Sequence, residues 1–263
     1  MLARYTNPFF LAVAILSIVL TLFVLVPLIS LLLYTRIDIL QQLFQGYTAQ
    51  EVVNAFIVTF KASILSTALL LIFGVPLGYL LARYSFPGKK LLESIIDIPL
   101  VLPHTVAGVA ILTGFGSRSY LGSVLNSIGL RIEDSFWGIV AAMMFVSTPI
   151  MVDSAKIAFQ SVDPELEDVA RCLGASPARA FISITLPLAL RGIIAGTILS
   201  WARALSEVGA ILVVAYYPKS INVLVLEYLN VYGLSYAIAL STVLALISIA
   251  LFTALRFVVG SGI

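Results

Sequence analysis

The sequence predicts an all-α polytopic membrane protein with about six transmembrane helices. Hydrophobic residues make up 61% of its 263 positions and charged residues 11%, whereas a soluble globular chain carries roughly a quarter charged residues. Charge-poor stretches recur that are long enough to cross roughly 30 Å of hydrocarbon at about 1.5 Å per helical residue. Lysine and arginine are shared unevenly between the loops that join these stretches. In lipid a helix satisfies its own backbone, and only a closed barrel does the same with strands.

In chain order, the first span covers residues 9–34 and carries no charge. It is too long for the apolar part of a signal peptide and no cleavage site precedes Arg36, so it is expected to stay in the membrane. The second covers 55–82, with Lys61 near its outer end, and the tight turn Phe86-Pro87-Gly88 follows. The third, 98–116, opens after Asp97 on Pro99 and Pro103, which disfavour a regular helix start. The fourth covers 136–152, the fifth 192–215 and the sixth 234–255. Residues 1–263 are expected to form a single membrane domain without internal repeats. Gly74 and Gly78 around Pro76, and Gly192 and Gly196, have the small-residue spacing that lets helices approach closely.

With the N-terminus cytoplasmic, one side collects Arg4, Arg83, Lys89, Lys90, Lys156, Arg171, Arg179, Arg191 and Arg256. The other receives Arg36, Arg118, Arg131 and Lys219, while Lys61 and Arg203 lie at membrane depth. The positive-inside rule then places both termini and the loop 162–187 in the cytoplasm. The outer stretches 37–51, 117–135 and 216–235 are longer and more polar; they either receive an external partner or serve as connectors.

The loop 162–187 is the one capped, amphipathic insert in this oily chain. Asp163 suits an N-cap, Pro164 the first helical position, and Glu165, Glu167 and Asp168 load the first turns with negative charge. Leu166, Val169, Ala170 and Leu173 make an apolar stripe at helical spacing; Arg171 lies in the last turn and Gly174 ends the helix. Ser176-Pro177 opens a second short helix that Leu186-Pro187 closes. The stripe must be buried, on this chain or on a partner.

Asp168-Val169-Ala170, Gly174, Ile184, Leu186 and Pro187 resemble the EAA loop of ABC-importer permease subunits, with Asp168 for its Glu and Val169 for its first Ala. The resemblance implies the type I importer permease architecture, and it makes residues 164–173 the coupling helix that docks on a cytoplasmic ATPase. Leu166, Val169, Ala170 and Leu173 then supply apolar contact, with Glu167, Asp168 and Arg171 setting register at the rim. It further implies a homodimer of this chain in a prokaryotic plasma membrane, two P-loop ATPases holding ATP and magnesium, and an extracytoplasmic solute-binding protein.

Two further strings narrow the likeness. Asp97-Ile98-Pro99-Leu100-Val101-Leu102-Pro103-His104-Thr105-Val106-Ala107-Gly108 resembles molybdate and related oxyanion permeases, with His104 in place of a proline. Trp201-Ala202-Arg203-Ala204-Leu205-Ser206-Glu207-Val208-Gly209-Ala210 is similar to sulfate and molybdate permeases. Arg203 and Glu207, four apart, can pair in the membrane. With Ser206, Asp97, Pro99, Pro103 and Thr105 they are candidates for the translocation path or gate; alternatively Arg203 and Glu207 form an internal salt bridge that fixes packing and the prolines only kink a helix entry. Molybdate or tungstate is the expected cargo, then sulfate or thiosulfate.

Catalysis finds little material. His104 and Cys172 are the only histidine and cysteine, so no metal centre, Cys–His dyad or intrachain disulfide is expected. His104 reads as structural and Cys172 as a small residue near an interface. No phosphate-binding G-x-x-x-x-G-K-[ST] loop is present. The chain is therefore expected to be a non-catalytic subunit with no cofactor of its own, and the resemblance implies a partner ATPase that drives it. An ion-coupled carrier relaying through Glu207, Arg203, Asp97 or Asp153 is the alternative, and a purely structural membrane subunit a third. A net charge of +2 gives no case for nucleic acid.

Overall fold

The structure, a computed structural model, describes residues 8–260, with side chains for residues 8–254. Arg4 and the Arg256 side chain, both used in the charge count above, lie outside the described residues. Among those residues every regular element is helical: α1 (Pro8–Leu33), α2 (Ile37–Leu43), α3 (Gly46–Arg83), α4 (Lys89–Val101), α5 (His104–Phe115), α6 (Tyr120–Ser127), α7 (Phe136–Gln160), α8 (Pro164–Cys172), α9 (Pro177–Ala180), α10 (Leu186–Leu205), α11 (Gly209–Val214), α12 (Ile221–Val231) and α13 (Leu234–Gly260). The chain divides into two compact units, residues 1–52 with 224–263, and residues 53–223.

In the first unit α1 and α2 pack on α13. Thr35 and Thr242 share a hydrogen bond of 2.6 Å, and the Thr242 hydroxyl donates to the Leu31 carbonyl at 3.1 Å. The α1 helix is apolar on every side and buries none of its residues against the chain. A helix of that composition requires lipid or another subunit around it.

The second unit is built around α7. Met143, Met151, Val152 and Phe159 are fully buried along it, and α4, α5, α10 and α11 all pack against it. The glycine pairs choose α7 as their partner: a Cβ on Gly78 would lie 2.7 Å from Ala155 Cβ, and one on Gly192 2.6 Å from Ala158 Cβ. Without a hydrophobic drive between helices in lipid, such close contact is the main source of cohesion. At 25 residues, α7 is about 37 Å long. Its N-terminus is fixed by Ser135, whose hydroxyl accepts from Gly138 N, and its C-terminus leads straight to α8. The loop 131–135 and the loop 162–187 therefore lie at opposite ends of a membrane-length helix.

Several expected boundaries change. Five helices among the described residues are long and apolar enough to cross a membrane. The third span, expected at 98–116, is two pieces: α4 starts earlier, at Lys89, the chain extends at Leu102-Pro103, and α5 has only 12 residues. At about 18 Å, α5 alone is too short to cross the hydrocarbon. Pro103 has no N–H to continue α4, and it becomes the cap of α5 instead. The second span lengthens from 55–82 to 46–83, and the fourth from 136–152 to 136–160.

The fifth span, expected at 192–215, ends at Leu205; residues 206–208 are not helical, and α11 follows. Its start also moves. Leu186-Pro187 does not close a short helix, because 177–205 runs without interruption. Pro187 cannot donate to the carbonyl four residues back, and the preceding turn widens into a π-turn over Phe181–Thr185, with Leu186 N–H reaching Phe181 O. The second arm of the hairpin is thus the foot of a membrane helix.

Candidate functional site

Local chemistry shapes the hairpin as expected. Asp163 Oδ1 accepts from Glu165 N at 2.9 Å, and Pro164 occupies the first turn. At the other end Gly174 adopts φ +94°, Gly174 N donates to Arg171 O and Ala175 N to Ala170 O, each at 3.0 Å. That pair of bonds is a Schellman closure. Ser176 accepts from Arg179 N and starts α9.

The two sides of α8 do different things. Leu166, Val169 and Leu173 are exposed, Leu173 by 84%, and Ala170 is half-buried between them. Asp168 and Arg171 are exposed beside them, 3.8 Å apart. Glu167 turns the other way, into the chain. Arg83 Nε donates to its Oε1 at 2.9 Å and Tyr79 Oη to its Oε2 at 3.0 Å. Arg83 Nη2 also donates to Val162 O at 2.9 Å. Burial pushes the Glu167 carboxyl up, but the Thr185 and Tyr79 hydroxyls and the Arg83 guanidinium together hold it below its ordinary value. Rings of Tyr79, Phe159 and Phe181, 4.6–5.9 Å apart, join α3, α7 and the π-turn beneath the hairpin. Glu167 thus bonds to α3, on the side of α8 away from the exposed stripe.

The second cluster forms where 177–205 stops. Glu207 is fully buried. Its Oε1 accepts from Ala210 N at 2.8 Å and so caps α11; its Oε2 lies 3.0 Å from Arg203 Nη2 and 2.8 Å from His104 Nδ1. Arg203 Nη2 also lies 3.2 Å from His104 Nδ1, so the three side chains share one contact. Asn222 Nδ2 donates to Leu205 O at 2.7 Å and Glu207 O at 2.9 Å, covering carbonyls that the break leaves free. Gly209 is needed here, because a Cβ would stand 2.5 Å from His104 Cβ. The Ser206 hydroxyl is exposed and accepts from Arg203 Nη1 at 3.3 Å. The sequence strings around His104 and Glu207 therefore meet in one place.

The family of binding-protein-dependent transport system inner membrane components matches residues 74–260. The chain belongs to that family. It is 44% identical over 248 residues, 94% of this chain and 96% of the relative, to a molybdate/tungstate transport system permease protein of Methanocaldococcus jannaschii. Its counterpart in Pyrococcus abyssi is 50% identical over 198 residues, 75% of each chain. A probable sulfate transport system permease protein of Zygnema circumcarinatum is 33% identical over 236 residues, 88% of this chain and 82% of the relative. In fold the chain resembles a subunit of a bacterial ABC transporter that imports alginate, with TM-score 0.66, 20% identity and 98% of both chains covered. It is accordingly an ABC-importer permease, a multi-pass transport component of a prokaryotic plasma membrane.

Within this permease the path candidates divide into two groups. Arg203, Ser206 and Glu207 share the Glu207 cluster, and Pro103 and Thr105 are exposed at the α5 end that carries His104. Asp97 and Pro99 are elsewhere: both lie on α4, where Asp97 neighbours Asp153 of α7, near the Glu93–Lys156 pair at 2.5 Å. His104, read as structural, is the residue of α5 that touches the cluster. Arg83, Tyr79 and Asn222 complete these two clusters and carry no local sequence signal that marks them.

Proposed function

We propose that this chain is the membrane-spanning subunit of an ATP-driven importer that carries a tetrahedral oxyanion, molybdate or tungstate, into the cytoplasm. The observation that carries this is the hairpin: its apolar ridge of Leu166, Val169 and Leu173 is exposed while Glu167 ties its other side to α3. A ridge that is greasy outward and ion-paired inward suits a surface that receives force from a cytoplasmic protein. Both chain termini and the hairpin lie in the cytoplasm.

Two copies of the permease stand over two P-loop ATPases, which hold the ATP and magnesium that this chain does not bind. Closure of the ATPases on ATP moves the two ridges together. The uninterrupted helix 177–205 carries that motion to Arg203 and Glu207, and the Glu167–Arg83 link carries it to α3. His104, on α5, moves with Glu207, so the membrane helices rearrange as bodies around a shared path, as alternating access requires. An extracytoplasmic binding protein delivers the oxyanion and supplies most of the selection. The higher identity to molybdate/tungstate permeases than to the sulfate permease supports the cargo. An ion-coupled carrier has no use for the hairpin.

The test is uptake into proteoliposomes holding the permease with its ATPase and binding protein. ATP-dependent molybdate accumulation is expected, with sulfate poorly carried. Accumulation driven by an ion gradient without the ATPase would sink the proposal.

A further inference from the structure

Lys61 lies on the membrane helix α3, is exposed, and forms no ion pair among the described residues. Together with Arg83 it brackets residues 62–82, which carry no charge. At about 1.5 Å per residue the two levels stand about 33 Å apart, close to one hydrocarbon thickness. Packing on α7 gives the same depth. A Cβ on Gly74 would lie 3.1 Å from Met151 Cγ and one on Gly78 2.7 Å from Ala155 Cβ, so α3 and α7 run parallel and in step. Carried back along both helices, that register brings Lys61 level with Gly138, in the first turn of α7. Lys61 therefore stands at the membrane edge remote from the hairpin. Helical side chains tilt toward the N-terminus, which for α3 is the direction away from the hairpin and toward the headgroups. Asn54, exposed two turns further along on the same face, continues the polar side.

The rest of that face is apolar. Ile57 on one side of Lys61, and Ile64, Ala68, Leu71 and Ile72 on the other, are all exposed. A water-filled path would place polar groups there, and an apolar protein partner would strip the ammonium of water without a counter-ion. From Lys61 to Ile72 the stripe runs about 16 Å, half of the hydrocarbon and the depth of one leaflet. Ala68 leaves a notch between the larger Ile64 and Leu71.

We propose that this face binds a phospholipid of the leaflet remote from the hairpin, with its phosphate on the Lys61 ammonium and an acyl chain laid along Ile64, Ala68 and Leu71. The lysine stem rests on apolar surface while its head meets the phosphate, as long cationic side chains do at a membrane edge. The α3 helix is then fixed at both edges, by lipid at Lys61 and by Glu167 at Arg83. A lipid seated there sets the height of α3 in the bilayer, and with it the height of the Arg83 grip on α8.

Native mass spectrometry tests it on the full transporter, released from nanodiscs of equal parts phosphatidylglycerol and a phosphate-free glycosyl diacylglycerol. The reading is the preference shown by the last lipid that each permease copy retains. Wild type is expected to favour phosphatidylglycerol about tenfold, Lys61→Gln to lower that preference about fivefold, and Lys61→Arg to keep it within about twofold. Arg118→Gln, which removes another exposed cation from the turn between α5 and α6, is expected to keep the wild-type preference. A preference in Lys61→Gln equal to that of wild type, or an equal fall in Arg118→Gln, would overturn the site. Displacement of the retained phosphatidylglycerol by molybdate would assign Lys61 to the cargo and overturn it as well.

Discussion

Arg83 Nε stands 2.9 Å from Glu167 Oε1, with both side chains largely out of solvent at 10% and 15% exposure. The last turn of α3 thereby grips the middle of α8. With Tyr79 on the other carboxylate oxygen, α8 is held by its polar side and offers its apolar side outward.

Breaking that grip should loosen the hairpin without unfolding the membrane helices. Arg83→Met leaves a largely buried carboxylate with hydroxyl partners but no counter-ion, a loss of about 3–5 kcal/mol for a broken buried pair. Cys172, the only cysteine and exposed on α8, is a ready site for a nitroxide label. Its spectrum should sharpen in Arg83→Met, and an unchanged line shape would show that the pair holds nothing.

The ridge should govern assembly. Val169→Glu with Leu173→Glu removes two apolar contacts of about 1.5–3 kcal/mol each, so affinity for the ATPase should fall at least about a hundredfold. Titration of the ATPase onto detergent-solubilised permease measures this. The permease alone should elute unchanged on size exclusion.

Glu207→Gln separates charge from shape. With its oxygen accepting from Ala210 N, the amide turns its NH2 toward Arg203 and His104, leaving the Arg203 guanidinium without its counter-ion. A loss of about 3–5 kcal/mol is expected for this broken pair. A thermal unfolding midpoint equal to wild type would mean that the cluster does not bind α5 to α11. Glu207→Ala should be worse still, since it also uncaps α11.

Acid should release the hairpin late. Glu167 sits below its ordinary value of 4.5 in the folded chain. A depressed carboxylate contributes its full stabilisation above the unfolded value and loses it as pH falls through the folded one. Hydrogen exchange across 164–172 should therefore stay slow down to about pH 4.5 and quicken only below it. In Arg83→Met, which removes one of the groups that hold the carboxyl down, that acid-dependent quickening should shrink.

Much of this was legible because it is local. The N-cap, the first-turn proline and the C-terminal glycine of α8 act within a few residues, so the sequence pattern and the observed bonds at Asp163 and Gly174 agree. Arg203 and Glu207 stand out in the sequence as ionisable residues four apart inside an apolar span. What local patterns do not carry is which residues meet across the fold. Arg83 and Tyr79 lie 84 and 88 residues from Glu167, and His104 103 from Glu207. Hydrophobicity likewise does not register a break, so α4–α5 and α10–α11 each looked like one span. Pro187 misled in the opposite sense, since a wider turn backed by Phe159 and Tyr79 lets the helix continue past it.

The most direct test of force entering through the hairpin is the number of molybdate ions accumulated per ATP hydrolysed by proteoliposomes carrying Arg83→Gln. Hydrolysis stimulated by the binding protein should stay within about twofold of wild type while ions per ATP fall at least about tenfold. An unchanged ratio would mean that the grip of α3 on α8 carries no work.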